Sequence, residues 1–416
     1  MNHAVLSDAL FSFDVARVRR DFPVLERMVH ARPLAYLDNG ASAQRPAAVI
    51  EAVDDYERRH HANIHRGVHT LSQEATALYE GARDTVMRFI NAASRHEIVF
   101  VRGTTEAINL VAQSYGRPRL EPGDEILITF LEHHANIVPW QILCEQTGAV
   151  LKVAPMDAHG EVHPESVEAL MGPRTRLLAC AHVANALGTV LPVRRLVAAA
   201  RARGIVTLID GAQAVPHMPI DVREIDCDFY AFSGHKLFAP TGIGVLYGRE
   251  SLLERMPPWQ GGGDMILRVS FERTTYNALP YKFEAGTPNI SGAIGLGAAI
   301  DYLLGLDLAG ARRHEHALLE HATRVLSRIE DLRIIGTARD KASLVSFVVG
   351  SVHAHDLGTI LDEDGIAVRT GHHCAMPVMD FFKIPATARA SFAFYNTFEE
   401  IDRLGAAIER ARAMFR

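Results

Sequence analysis

Lys236 sits where lysines are uncommon. It follows the apolar run Phe229 to Phe232, within Ser233-Gly234-His235-Lys236, whereas most lysines occupy solvated helix faces. An amine so placed can form a Schiff base with a carbonyl compound. Other reactive groups follow other apolar runs in the same way. Asp210-Gly211-Ala212-Gln213 closes Val206 to Ile209, and its aspartate reads either as half of an ion pair or as a turn former. Gly103-Thr104-Thr105 follows Ile98 to Val101 and opens a helical stretch; free backbone N–H groups there suit a phosphate, or simply mark a helix cap. Glu132-His133-His134 follows Ile126 to Thr129. His133 can stack on a flat ligand or exchange protons, although an isolated histidine is as readily a hydrogen-bonded structural residue. His182 and Asn185 come after Leu177 to Ala181.

A second chemical segment lies far downstream: Arg369-Thr370-Gly371-His372-His373-Cys374-Ala375-Met376-Pro377. Thiolate is the nucleophilic form of cysteine, and neighbouring cationic or imidazole groups favour it. Arg369, His372 and His373 supply such neighbours to Cys374. The same residue types also bind metals, but zinc commonly takes four ligands from two paired clusters. No second cluster has that spacing, so no metal is expected. A purely structural cysteine is the third reading.

The elements that must position these groups follow from hydrophobic patterning. Five short apolar runs alternate with helical patterns such as Glu106 to Gln113 and Val193 to Arg203, which predicts βαβ units and a mostly parallel sheet. In such sheets ligands bind beyond the carboxyl ends of the strands, and all five groups named above fall there. After about residue 305 the order loosens: a charged helix at Ala311 to Ile329, then strands at Leu344 to Val349, Ile366 to Val368 and Ala390 to Phe394. A last helix starts at Thr397, with Glu400 at capping-box spacing. This predicts a large α/β domain over residues 30–305. Residues 1–29 with 306–416 then form a smaller α+β domain carrying the cysteine loop.

Composition narrows the function. The 416 residues carry 43 Lys and Arg against 49 Asp and Glu, net −6, which argues against a nucleic-acid partner. No apolar run approaches the ~18 residues of a membrane span, and no secretory signal is visible at the amino terminus. Cys144, Cys180, Cys227 and Cys374 are widely spaced, which argues against a disulfide scaffold. The expectation is a soluble cytoplasmic protein.

A lysine, a carboxylate, an anion cup and a ring-stacking partner together describe a pocket for pyridoxal 5'-phosphate (PLP). The chain resembles the class V aminotransferases of PLP fold type I, and among them the SufS-type cysteine desulfurases. The likeness rests on Asp21-Phe22-Pro23, Tyr36-Leu37-Asp38-Asn39, Asn63-Ile64-His65-Arg66-Gly67-Val68-His69, Glu132-His133-His134-Ala135-Asn136, Asp210-Gly211-Ala212-Gln213, Ser233-Gly234-His235-Lys236, Glu284-Ala285-Gly286-Thr287-Pro288-Asn289 and Arg369 to Ala375. It implies a large domain with a mostly parallel seven-stranded sheet. It also implies that Lys236 holds the cofactor aldehyde, Asp210 pairs with the pyridinium, Gln213 meets the phenolic oxygen and His133 stacks on the ring and moves protons. Thr104, Thr105, Ser233 and His235 would hold the phosphate, with Thr287 reaching in from the second chain of a homodimer. Asn185, Arg389, Arg369 and His65 would bind substrate. Cys374 would take sulfur from L-cysteine as a persulfide, releasing L-alanine, and pass it to a SufE-like or SufU-like acceptor for iron–sulfur cluster assembly. Selenocysteine lyase is the near rival. An aminotransferase or kynureninase-like hydrolase, which would not need Cys374, is more distant, and a metal- or redox-sensing scaffold around His372, His373 and Cys374 more distant still.

Overall fold

The computed structural model describes residues 13–415; of the amino-terminal segment expected beside the small domain, residues 1–12 lie outside the described residues. Seven strands make the central sheet: β1 (Ile98–Val101), β2 (Glu125–Thr129), β3 (Val150–Ala154), β4 (Thr175–Ala181), β5 (Val206–Asp210), β6 (Phe229–Ser233) and β7 (Gly244–Gly248). Their spatial order is β1-β7-β6-β5-β4-β2-β3. β7 runs antiparallel to both of its neighbours, and the other pairs are parallel. The carboxyl ends of six strands therefore share one edge.

Period-two alternation sends the side chains of these strands into two different cores. Leu178, Cys180 and Ile209 face one; Leu177, Ala179 and Leu208 face the other. Because both faces are covered, the strands read as continuous apolar runs. β3 and β7 escaped the sequence reading. β3 is an edge strand whose Val150 and Val153 remain exposed, and the five residues of β7 begin and end in glycine.

A second sheet holds β8 (Leu332–Ile335), β9 (Leu344–Val349), β10 (Arg369–Gly371) and β11 (Thr387–Ser391), antiparallel in the order β8-β9-β11-β10. Its own core includes Leu318, Val345, Phe347, Ile401 and Leu404. A short strand, Ala35–Tyr36, pairs parallel with Ile366–Ala367, tying the chain before the first long helices to this lobe. The strand expected at Ala390 to Phe394 ends instead at Ser391. The apolar run continues because Phe394 and Tyr395 enter an aromatic cluster, with Phe394 4.8 Å from Phe238 and Tyr395 4.6 Å from Phe22. The final helix, Phe398–Met414, carries the expected reciprocal cap between Thr397 and Glu400. Among the described residues no single helix is long and apolar enough to cross a membrane.

Candidate active site

Five of the six strand ends, all but that of the edge strand β3, surround a cavity of about 180 Å³ lined by Thr104, Thr105, His133, Asn185, Asp210, Gln213, Ser233, His235 and Lys236. Arg369, His373, Cys374 and Arg389 close it from the second lobe, and Gly40 and Ala41 from the segment between the lobes. Twelve of the fourteen residues expected at a site thus line one cavity. The two others, within this chain, do not reach it. Thr287 is exposed and lines a separate hollow with Gly242 and Gln260. His65 pairs with Glu80 at 3.0 Å and packs against Tyr281.

At the end of β5, Asp210 is 7% exposed and its Oδ1 accepts from Ala212 N–H at 2.9 Å. Burial raises its pKa, against Ala212 and Lys236, which lower it. Gly211 beside it is obligatory, since a Cβ there would lie 2.0 Å from the Tyr230 ring. Lys236 stands on the cavity wall, partly reached by solvent yet surrounded by protein. Burial brings its amine down to about 8; Asp210 opposes this, while Arg389 and Arg369 add to it. An amine near 8 is substantially neutral at mildly alkaline pH, the form a nucleophile or a proton acceptor needs.

The turn after β2 holds His133 through a buried network. Glu132, fully buried, accepts from Thr129 Oγ1, from Asn136 Nδ2 at 2.6 Å and from Ala181 N–H at 3.1 Å. Burial lifts its carboxyl to about 7. Asn136 Oδ1 in turn accepts from Trp140 Nε1 at 2.8 Å. His133 Nδ1 accepts from Ala135 N–H at 2.9 Å, which leaves the ring proton of the neutral form on Nε2. Burial, then the Lys236 charge, brings His133 down to about 3, so the ring is neutral. At the start of the helix Thr104–Leu110, Ser233 Oγ accepts from Thr104 N–H at 2.9 Å and lies 2.8 Å from Thr104 Oγ1. This cluster of hydroxyls at a helix start is suited to an anion. Gln213 spends one amide N–H on Gly40 O at 2.6 Å and keeps the other.

On the opposite wall, Arg389 is 2% exposed. Its Nη1 donates to Asn185 O at 2.8 Å and its Nη2 approaches Asp38 Oδ1 at 3.4 Å. Burial lowers it only to about 10, so it stays charged. The cysteine loop is held in an unusual shape. His373 and Cys374 have φ of 51° and 56°, the left-handed region that costs a side-chain-bearing residue on the order of 1–3 kcal/mol. Three contacts hold it there. Asn185 Nδ2 donates to His373 O at 2.5 Å, His134 N–H donates to Cys374 O at 2.7 Å, and His373 Nε2 lies 2.8 Å from Thr387 Oγ1. Sequence reasoning assigned nothing to His134 or Thr387; only the adjacency of His134 to His133 hinted at it.

The cavity carries unmet polar demand. Asn185 Oδ1, Arg389 Nε and His373 Nδ1 are buried without hydrogen-bond partners, a costly state unless a ligand completes it. Beside the buried carboxylate and the hydroxyl cluster, this donor set fits PLP with an amino-acid substrate. Lys236 would hold the aldehyde, Asp210 the ring nitrogen, and Thr104, Thr105, Ser233 and His235 the phosphate.

Comparison with known proteins agrees. Residues 35–404 match the family model described as Aminotransferase class-V. A protein of Yersinia pestis (strain Pestoides F) named cysteine desulfurase is 52% identical over 400 residues, 96% of this chain and 98% of its own. Among solved structures, the cysteine desulfurase CsdA of Escherichia coli superimposes with a TM-score of 0.90 at 43% identity, covering 97% of this chain and 99% of that one. The apo cysteine desulfurase of Thermococcus onnurineus NA1 gives 0.91 at 40% identity, over 96% of this chain and 98% of its own. The chain belongs to the class V aminotransferase family, in the group whose members bear the name cysteine desulfurase.

Proposed function

We propose that this protein is a PLP-dependent cysteine desulfurase that converts L-cysteine to L-alanine and retains the sulfur as a persulfide on Cys374. The observation that carries this reading is the meeting of Lys236 and Asp210, from the large sheet, with Cys374 and Arg389, from the second lobe, around one cavity. When bound, PLP supplies an electron sink for the pair left at the substrate Cα. Arg389, with Asn185 and Arg369, binds the substrate carboxylate. Lys236 Nζ would take the Cα proton, Asp210 would pair with the ring nitrogen and favour its protonated form, and His133, with its proton on Nε2, would stack on the ring and move protons. Cys374, as thiolate, attacks the substrate Sγ. An S–S bond forms, the Cβ–Sγ bond breaks, and its electron pair ends as a C–H bond of the alanine methyl group.

The finer reading is that the persulfide passes to a SufE-like or SufU-like acceptor thiol for iron–sulfur cluster assembly. The half-buried position of Cys374 on a loop at the cavity mouth supports transfer to an outside thiol. A selenocysteine lyase activity uses the same groups on a C–Se bond, and comparing alanine formation from both amino acids measures the preference. Residues 30–305 serve as the cofactor-binding domain, and residues 1–29 with 306–416 deliver the cysteine loop. All four cysteines are free thiols, which suits a reducing cytoplasm. A homodimer completes the site with Thr287 and His65, since neither reaches the cavity of its own chain; a short exposed hairpin carrying Leu267, Val269 and Phe271 supports such pairing.

The test is direct. Purified protein should be yellow, and Lys236→Ala should abolish turnover. Cys374→Ser should keep the colour while losing the +32 mass adduct (one sulfur) that L-cysteine produces on the wild type. A colourless protein that gains no absorbance with added PLP overturns the cofactor assignment, and undiminished sulfide release from Cys374→Ser overturns the nucleophile.

A further inference from the structure

A side-chain cluster at the cavity mouth has a composition that persulfide chemistry alone does not require. One ligating atom from each of His134, His372 and Cys374 lies within 4.8 Å of the others, and the two imidazole rings are 5.5 Å apart. The histidines come from different parts of the chain, the turn after β2 and the cysteine loop. The sequence therefore shows no paired cluster, and folding creates one. His373, the other histidine of the segment, takes no part: it is buried and faces Thr387.

We propose that His134, His372 and Cys374 form a binding site for a thiophilic divalent cation of the zinc type, which captures the acceptor sulfur and holds the enzyme in an inactive state. Two imidazoles and a thiolate are the ligand types that zinc prefers, and three protein ligands with an open fourth position describe a site still reachable from solvent. Both rings already present an unprotonated nitrogen to the loop. His134 Nε2 accepts from Met376 N–H at 3.1 Å and His372 Nδ1 from Cys374 N–H at 3.0 Å; a cation displaces these two backbone donors from the ring lone pairs, and neither neutral ring must lose a proton. The cation exchanges with the thiol proton: a Zn–S bond forms, the S–H bond breaks, and one proton leaves to solvent with no change of oxidation state.

Distance is the constraint on this site. Tetrahedral zinc with bonds of about 2.0–2.3 Å places its ligand atoms roughly 3.6 Å apart, so the cluster must contract by about 1 Å. His372 is exposed and Cys374 half-buried, and the solvent side of the loop leaves room for that movement. His134, whose backbone N–H donates to Cys374 O at 2.7 Å, is the fixed member.

Metal binding itself does not depend on the desulfurase reading, whereas its inhibitory consequence does, so the two are measured separately. PLP-loaded full-length protein is titrated with Zn²⁺ under native mass spectrometry, and with Co²⁺ while the visible spectrum is recorded. One cation per chain is expected, with the intense d–d bands of tetrahedral Co²⁺ and a thiolate charge-transfer band. Bound Zn²⁺ should also protect Cys374 from iodoacetamide. Cys374→Ser should remove the charge-transfer band, and His134→Gln and His372→Gln should each weaken binding at least tenfold. His353→Gln, an exposed histidine outside the cluster, should leave it unchanged. Absence of stoichiometric binding, binding that survives Cys374→Ser, or an equal loss in His353→Gln would each overturn the site. If Zn²⁺ binds as described but alanine formation continues at full rate, the site stands, its inhibitory role falls, and the assignment of Cys374 as acceptor falls with it.

Discussion

At the scale of single residues the site works by placing ionisable groups where water would not leave them. Lys236 is the clearest case. An exposed lysine is cationic up to about pH 10, whereas here burial, reinforced by Arg389 and Arg369, brings the amine to about 8. The sign is fixed by chemistry: only the neutral amine attacks the cofactor aldehyde, and the folded protein binds that proton less tightly than an exposed lysine does. Capture of PLP by cofactor-free protein should therefore accelerate about tenfold per pH unit below 8 and level off above it. Stopped-flow absorbance between pH 6.5 and 9.5 reads this. A rate still climbing steeply at pH 9.5 would mean that the lysine titrates as it does in water. Lys236 and Asp210 were legible in the sequence because Asp210 ends a buried strand and Lys236 follows one by three residues, where a charge has few structural reasons to be. His373 was legible as a neighbour of Cys374, but its buried, unpartnered Nδ1 appears only once the loop folds back on Asn185 and Thr387.

Secondary-structure elements supply the rigidity that these residues need, and the turn after β2 shows how. Glu132, Asn136 and Trp140 are fully buried and joined in one chain of hydrogen bonds, which also pins the amide of Ala181 in β4. Removing the central member leaves Trp140 Nε1 without an acceptor and Glu132 Oε2 without its donor, each costing about 1–3 kcal/mol. Asn136→Ala should thus destabilise the protein by roughly 2–5 kcal/mol, read from the urea midpoint, and should weaken PLP retention because His133 loses its support. A loss below about 1 kcal/mol would show that water replaces the side chain and that the network is not structural. Periodicity revealed the strands buried on both faces, since a short unbroken apolar run between turn residues fits a strand covered from above and below. It could not reveal β3, half-exposed at an edge, or the true end of β11, because burial in the Phe22, Phe238 and Tyr395 cluster leaves the same apolar signature as burial in a sheet. The cap at Thr397 was readable because it is a local hydrogen-bond pattern, independent of the rest of the fold.

At the scale of the whole molecule, two lobes and a connecting segment meet at one cavity. Arg389 on β11 reaches Asn185 and Asp38, and Arg19 ties the amino-terminal helix to Glu400 at 2.6 Å. The relative placement of cofactor groups and acceptor thiol is therefore set by packing between lobes. Yet two of the residues implied by the family resemblance stay outside. Thr287 follows Glu284, which is locked by Arg83 at 2.6 Å and by Phe100 N–H at 2.8 Å, so its loop is held in place away from the cavity of its own chain. Under the homodimer reading, Thr287 serves the partner's cofactor, and complementation between two inactive chains tests this. Lys236→Ala destroys the site in its own chain, while a Thr287 variant that blocks phosphate binding (Thr287→Asp) damages only the site of the opposite chain. Co-expressed and separated by distinct tags, the mixed dimer carries one site with both defects and one with neither. It should regain about half of the wild-type rate while each parent homodimer stays near background. Were Thr287 to act within its own chain, the mixed dimer would hold one defect in each site and remain as inactive as the parents, and the proposed sharing of the site would be wrong.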